Sequence, residues 1–165
     1  MAGRSGVSLK WNGLDRAIHK ACRNMAERQE LMSSIGEALV SGAVLRFSME
    51  EDPEGRKWQP SRRAQTTGGQ TLNDTGRLRD SIDYATTPET VLVGTNARYA
   101  RIHQLGGKIR PKSKKRLKFK GIGGEDVFAK EVSIPARPFI GISADDLEEV
   151  KETIAEYMGN AFGRR

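Results

Sequence analysis

The sequence predicts an α+β protein: a small, mostly antiparallel sheet packed with a long N-terminal helix and a C-terminal helix, plus an extended basic β-hairpin or loop arm. Three observations predict it. Leu31, Ile35, Leu39, Ala43 and Phe47 recur at intervals of four. Ile82, Tyr84 and Thr86 alternate just ahead of the β-prone run Thr90-Val91-Leu92-Val93-Gly94-Thr95. A second helical stripe, Leu147, Val150, Ile154, Tyr157 and Ala161, lies near the C-terminus.

The elements follow in order. Leu14, Ile18, Cys22 and Met25 share one face of a helix near residues 13–27. The interval-four stripe, flanked by Met32 and Leu45, makes a longer amphipathic helix that Pro53 and Gly55 end. Residues 52–75 have the composition of a loop, with Trp58 as its anchor to the core. Asn73, Asp74 and Thr75 offer caps to a short helix or turn over 76–82, which feeds the hairpin around Pro88-Glu89. Tyr99, Ile102 and His103 give a short helical turn. Residues 108–120, KIRPKSKKRLKFK, hold eight basic groups and no acid, and repulsion among them favours an extended, mobile arm. Val127–Ile134 has strand character and is a partner with which the arm could form a hairpin. Residues 135–141 are a rigid connector with two prolines. Ser143 caps the last helix, near 144–161, whose first-turn acids Asp145, Asp146, Glu148 and Glu149 complement the helix dipole on a solvated face.

The 165 residues are about one domain's length, with 1–27 as an N-terminal helical extension and 108–124 as a basic arm. Lys and Arg outnumber Asp and Glu by 28 to 21, for a net +7, and the excess is concentrated. That pattern suits an anionic partner or solubility alone. Cys22 is the only cysteine and His19 and His103 the only histidines, so neither an intramolecular disulfide nor a Cys/His zinc framework can be assembled. The N-terminus lacks a signal peptide's apolar run, and no stretch approaches the roughly 20 apolar residues of a membrane span, so no membrane partner is expected.

Little here carries chemistry. His19 and His103 are the only imidazoles for a triad, and both fit structural roles better. The glycine pairs at 68–69, 106–107 and 123–124 match neither phosphate-cradling nor dinucleotide spacing. The acids of the last helix lack the alternation and glycine of a calcium loop. No enzyme activity, catalytic residue, metal or cofactor is therefore expected. The arm's cations, Lys108, Arg110, Lys112, Lys114, Lys115, Arg116, Lys118 and Lys120, are read either as a solvated loop or as a contact with acidic protein neighbours or DNA. Phe119 alone is available for base stacking, which argues against single-strand readout.

Several pieces then fall in a familiar order: Asp52-Pro53-Glu54-Gly55; Trp58-Gln59-Pro60; Leu72-Asn73-Asp74-Thr75-Gly76-Arg77-Leu78-Arg79-Asp80-Ser81-Ile82; Val93-Gly94-Thr95; Tyr99-Ala100-Arg101-Ile102-His103-Gln104-Leu105-Gly106-Gly107; and Arg137-Pro138-Phe139-Ile140-Gly141. Together they resemble the phage virion morphogenesis family, which groups Mu-like virion morphogenesis proteins with tail completion proteins of P2-like phages. The resemblance spans roughly residues 28–160 and leaves the first 27 residues and the basic arm unmatched. It implies a structural protein of the virion, made in the bacterial cytoplasm, that completes the tail or connects it to the head at the neck.

A ring of identical subunits, six by analogy with tails, would be its working form, touching tail terminator and head completion or connector proteins and, non-specifically, DNA in the channel. Trp58, Leu72, Gly76, Leu78, Tyr99, His103, Gly106, Gly107, Arg137 and Phe139 are then determinants of fold and interface. The glycines allow tight turns, while Trp58, Tyr99 and Phe139 pin loops to the core. The competing readings are a basic DNA-binding module or a tail assembly factor absent from the virion, and, behind them, a cell-wall hydrolase.

Overall fold

The computed structural model describes residues 25–113 and 115–163. Helix α1, Met25–Met49, carries the interval-four stripe. Leu31, Ile35, Ala43 and Phe47 on it are all buried. The helix expected near 13–27 lies outside the described residues, except that 25–27 form the first turn of α1. Pro53 and Gly55 do not end the helix; Glu50 does, by turning left-handed at φ 54°. Lys57 then donates to the Met49 carbonyl at 2.8 Å, and Trp58 N–H to that of Glu50 at 2.8 Å, so the open C-terminal carbonyls are satisfied.

The stretch expected to be wholly loop contains a short helix, α2, Arg62–Thr67. Ser61 caps it by accepting from Ala64 N–H at 3.1 Å, and Gly68 closes it at φ 71°. The caps proposed at 73–75 are not used. Asn73 instead bonds Gln70 at 2.7 Å and Asp74 faces Arg63 at 3.6 Å, while the helical piece within 76–82 is a 3-10 turn, Arg79–Ser81, without a side-chain cap.

β1, Ile82–Thr87, and β2, Thr90–Thr95, form the expected hairpin, with Ile82 opposite Thr95 and Thr87 opposite Thr90. Helix α3, Ala100–Leu105, follows. The rest of the strands are β3, Gly107–Ile109; β4, Leu117–Lys120; β5, Asp126–Ala129; and β6, Val132–Ile134. β3 pairs with β6 and β4 with β5, each antiparallel. Two expectations change here. The strand read as continuous over 127–134 is broken at Lys130-Glu131, and the single small sheet is three separate two-stranded pairs. The expected hairpin of the arm with the segment at 127–134 is present at 107–109 and 117–120, where the return segment supplies backbone partners and acids that offset the repulsion among the cations.

Helix α4, Ala144–Gly163, runs antiparallel along α1: Asp146 at its start meets Arg46 near the end of α1, and Tyr157 donates to the Glu27 carbonyl at 2.8 Å at the other end. The core has two halves. Ala43 and Phe47 join Trp58, Leu78, Ile82, Val93, Ala100, Phe139 and Ile140. Leu31, Met32 and Ile35 join Val150 and Ile154, and Leu39 and Val91 touch both halves. Phe47 centres the first half, edge-on to Trp58 at 5.5 Å and tilted against Phe139 at 5.3 Å. A side chain at Gly36 would strike the Tyr84 ring and one at Gly42 the Asp146 carboxylate, so these two glycines let the hairpin and α4 approach α1 closely.

Asp146 corrects a further expectation. It does not lie on a solvated face with Asp145, Glu148 and Glu149: it is 4% exposed and paired with Arg46, itself 5% exposed. Its carboxylate also accepts Ser143 N–H at 2.7 Å, while Asp146 N–H donates to Ser143 Oγ at 3.0 Å. Breaking such a buried pair leaves one charge uncompensated. Asp146→Ala should therefore cost about 3–5 kcal/mol in chemical denaturation, and Asp146→Asn, whose amide oxygen can still accept from Arg46, should cost less. A loss below about 1 kcal/mol for Asp146→Ala, the scale of an exposed pair, would show that the ion pair is not what holds this corner.

Candidate interaction surface

The motif pieces scattered from Asp52 to Gly141 converge on one strap, residues 137–141. Gln104 at the end of α3 accepts from Phe139 N–H and Ile140 N–H, both at 3.0 Å, and donates to the Ile140 carbonyl at 2.7 Å. Its carboxamide thus stands in for a neighbouring strand. Trp58 Nε1 donates to the Pro138 carbonyl at 3.0 Å, and Arg46 to the carbonyls of Phe139 at 3.2 Å and Gly141 at 3.4 Å. Arg137, 5% exposed, donates from Nε to the Gln59 carbonyl at 2.7 Å and from its backbone N–H to the His103 carbonyl at 2.7 Å.

Around the strap, Asp52 folds the Asp-Pro-Glu-Gly turn by accepting Glu54 N–H at 3.0 Å, Arg56 N–H at 2.9 Å and Arg56 Nε at 2.7 Å. Burial pushes the Asp52 carboxyl up, but its bonds from Arg56 and Glu54 hold it below the usual carboxylate range. Gly106 needs its φ of 68°, and a Cβ there would sit 2.7 Å from the Ala136 nitrogen. Gly76 and Gly107 are also left of the ordinary region, at φ 77° and 142°. Leu78 is buried, and Leu72 packs against the core from a left-handed φ of 61°.

Trp58, His103, Gly106, Arg137 and Phe139 are thus brought together, with Leu72, Leu78 and Gly76 on the adjoining turn. Tyr99 is not a core pin: it is 39% exposed and leans edge-on against His103 at 6.0 Å. Sequence reasoning passed over Gln104, Arg46, Asp146 and Asp52 as key residues. Gln104 lies inside the motif that carried the resemblance. Arg46 is three residues beyond Ala43 and seven beyond Leu39, on the inner side of α1, a position where a charge requires a buried partner.

The cluster holds the fold. His103 Nδ1 is shielded from solvent and has no hydrogen-bond partner among the described residues. The apolar hollow lined by Leu39, Ala43, Val93, Ile140, Gly141 and Ile142 contains no titratable side chain. Among the described residues no group of three or more His, Cys, Asp or Glu is placed to hold a metal, and no helix is long and apolar enough to cross a membrane.

The ribbon of β3–β6 is a different kind of surface. Residues 107–134 hold nine Lys or Arg against three acids, nearly the whole net charge of the chain. Half of the arm's eight cations are matched by two acids on the return strands. Glu131 takes Lys108 at 2.8 Å and Arg110 at 2.6 Å, and Asp126 takes Lys118 at 2.8 Å and Lys120 at 2.9 Å. Those cations hold both carboxyls below their ordinary range. Lys112, Lys115 and Arg116 are exposed and have no ion-pair partner among the described residues, and Lys114 lies outside them.

The register sorts the side chains by face. Lys118, Lys120, Asp126 and Phe128 share one side of β4–β5, with Lys118 5.7 Å from the Phe128 ring centre. Leu117, Phe119, Val127 and Ala129 share the other. On β3–β6, Ile109, Val132 and Ile134 likewise share a face. These faces are partly covered: Leu117, Val127, Ala129, Val132 and Ile134 are half-buried, while Ile109 and Phe119 are 39% and 42% exposed.

Fold and surface together define a small α+β body that carries a projecting basic ribbon. The chain belongs to the phage virion morphogenesis family, whose sequence profile matches residues 9–159. Over 142 residues it is 31% identical to Mu-like prophage FluMu G protein 2 of Haemophilus influenzae (strain ATCC 51907 / DSM 11121 / KW20 / Rd), with 86% of each chain covered. No solved structure matches. The family gives the chain a role in phage virion assembly. The matched span also corrects the boundary read from the motifs, since it takes in the arm and the N-terminal stretch from residue 9.

Gln104→Leu, which leaves three backbone groups of the strap unpaired, should cost on the order of 2–3 kcal/mol in urea unfolding. Unchanged stability would mean that the strap is held without it. Burial, with Arg137 adding to it, holds the His103 imidazole below its ordinary 6.5. Folding therefore favours the neutral ring, and this contribution is whole above pH 6.5 and is lost as pH falls from there through the depressed folded-state value. Between pH 7 and 5 the wild type should lose more melting temperature than His103→Gln; parallel losses would assign the acid sensitivity elsewhere.

Proposed function

We propose that this chain is a structural subunit of a tailed phage that completes the tail and joins it to the head at the neck, working as one of several identical copies in a ring. The observation that carries the reading is the family match over residues 9–159, most of the chain. The relative's printed name, Mu-like prophage FluMu G protein 2, is that of a prophage protein and accords with it.

The physical form supports the same reading. A small body held by a strap of polar contacts presents a ribbon whose apolar face is only partly covered, and a two-stranded ribbon alone is only marginally stable in water. Burial against a neighbour would complete it. Ribbon and body are different surfaces, so a contact between them repeated head to tail closes into a ring when the rotation allows, and we take the ring to have six members. The neighbours above and below it would be the tail terminator and the head completion or connector proteins.

A second reading, a DNA-binding module, draws on the exposed cations Lys112, Lys115, Arg116 and Lys130, which have no ion-pair partner among the described residues. The paired state of the other cations and the partly covered apolar face weigh against it.

Purified particles test the assignment. Quantitative mass spectrometry should find the chain in finished virions at a fixed number near six per particle, and electron cryo-microscopy should find it at the head–tail junction. Its absence from infectious particles, with deletion still blocking tail joining, would make it a transient assembly factor.

A further inference from the structure

The charge of this chain is divided between two elements. Residues 107–134 contain nine Lys or Arg and three acids, whereas α4, Ala144–Gly163, contains six Asp or Glu and one Lys. Asp146 is turned inward to Arg46. The other five acids, Asp145, Glu148, Glu149, Glu152 and Glu156, are all exposed. Their spacing puts them within about 100° of arc on one side of the helix, opposite Val150 and Ile154, which face α1. Only Glu148 has an ion-pair partner among the described residues, Lys151 at 2.6 Å.

This stripe and the ribbon do not meet within one chain. No ion pair joins residues 107–134 to α4 among the described residues, and the ribbon has no extensive contact with α1, β1–β2 or α4. The stripe from Asp145 to Glu156 runs about 16 Å at helical rise, and β4 with Arg116 and Lys115 runs about 16 Å at strand rise. Leu45 and Met49, exposed at 60% and 48%, flank the Arg46 that holds the start of α4, so apolar surface lies at the same end as the stripe.

We propose that the ribbon of one copy docks on the acidic outer face of α4 of the next copy, with Lys112, Lys115 and Arg116 meeting Glu149, Glu152 and Glu156. The inference rests on the reading of the chain as a ring subunit and names the contact that would build the ring. A protein surface is favoured over a nucleic acid because the ribbon's Leu117, Phe119 and Val127 face needs apolar cover that a phosphate backbone does not supply. A second copy of this chain offers the missing acids in its α4 stripe and exposed apolar groups at Leu45 and Met49.

Charge reversal in the full-length chain tests it, read by sedimentation velocity. One variant carries Lys112→Glu, Lys115→Glu and Arg116→Glu; the other carries Glu149→Lys, Glu152→Lys and Glu156→Lys. All six side chains are exposed, and circular dichroism checks that both variants fold. Each reversal makes ribbon and stripe alike in sign, so each variant alone should self-associate roughly tenfold or more weakly than wild type. An equimolar mixture should associate again, because each ribbon then finds an opposite stripe. This recovery should fade at roughly 0.5 M salt.

A wild type that stays monomeric at low salt, a helix variant that associates as wild type does, or a mixture that fails to recover would each overturn the docking. So would a ribbon variant that loses binding to a random-sequence DNA duplex yet self-associates normally. These outcomes are separate from the particle measurement. A chain found in virions whose association ignores α4 sinks the docking and leaves the ring reading, whereas a chain absent from virions sinks the reading whatever the centrifuge shows.

Discussion

Everything else in this structure hangs on the strap at 137–141. It has no regular secondary structure, and its Pro138 cannot donate to a ladder, so its backbone groups must be satisfied one at a time by side chains. Gln104, Trp58 and Arg46 do so from three elements far apart in the sequence. Each also has a second tie: Trp58 to Phe47, Arg46 to Asp146, and Gln104 through α3 to the turn at Gly106. The hydrophobic contacts around Phe47 and Phe139 are larger in area, but they are non-directional. The polar ties fix which loop lies over that core and in which register.

The strap also determines where the ribbon points. β6 ends at Ile134 and the strap begins at Arg137, whose backbone N–H is bound to the His103 carbonyl, while β3 starts at Gly107 just after α3. Both feet of the ribbon are thus anchored at His103–Gly107 and Arg137. Because Gly106 admits no side chain beside Ala136, the two feet lie as close as backbone allows. The two ends of the ribbon are thereby fixed to each other and to the strap at one place on the body.

Much of this was legible before any coordinates. Interval-four stripes marked α1 and α4, because a helix that buries one face must repeat its apolar residues with the turn. Alternation around Pro88-Glu89 marked the β1–β2 hairpin. What escaped was long-range pairing. The hairpin of the arm with the segment at 127–134 could be read, but not the ties by which Glu131 holds Lys108 and Arg110 and Asp126 holds Lys118 and Lys120. Asp146 shows the same limit: its position in a first turn is what the dipole favours, yet its neighbour is Arg46, 100 residues away. The motif residues emerged correctly as a group, but their shared purpose, holding one strap, appears only in three dimensions. Tyr99 was misjudged because an aromatic ring says that burial is favourable, not that a hollow exists for it.

The distance in sequence between Arg46 and Asp146 has a consequence for the timing of synthesis. Until α4 has left the ribosome, α1 has an open apolar flank at Leu31 and Ile35 and an unpaired cation at Arg46. The body therefore settles only after the ribbon has been made, and an unfinished chain has no firm platform from which to display it. Incomplete copies would keep that apolar flank open to proteolysis, so the last helix acts as a check that the chain has been finished.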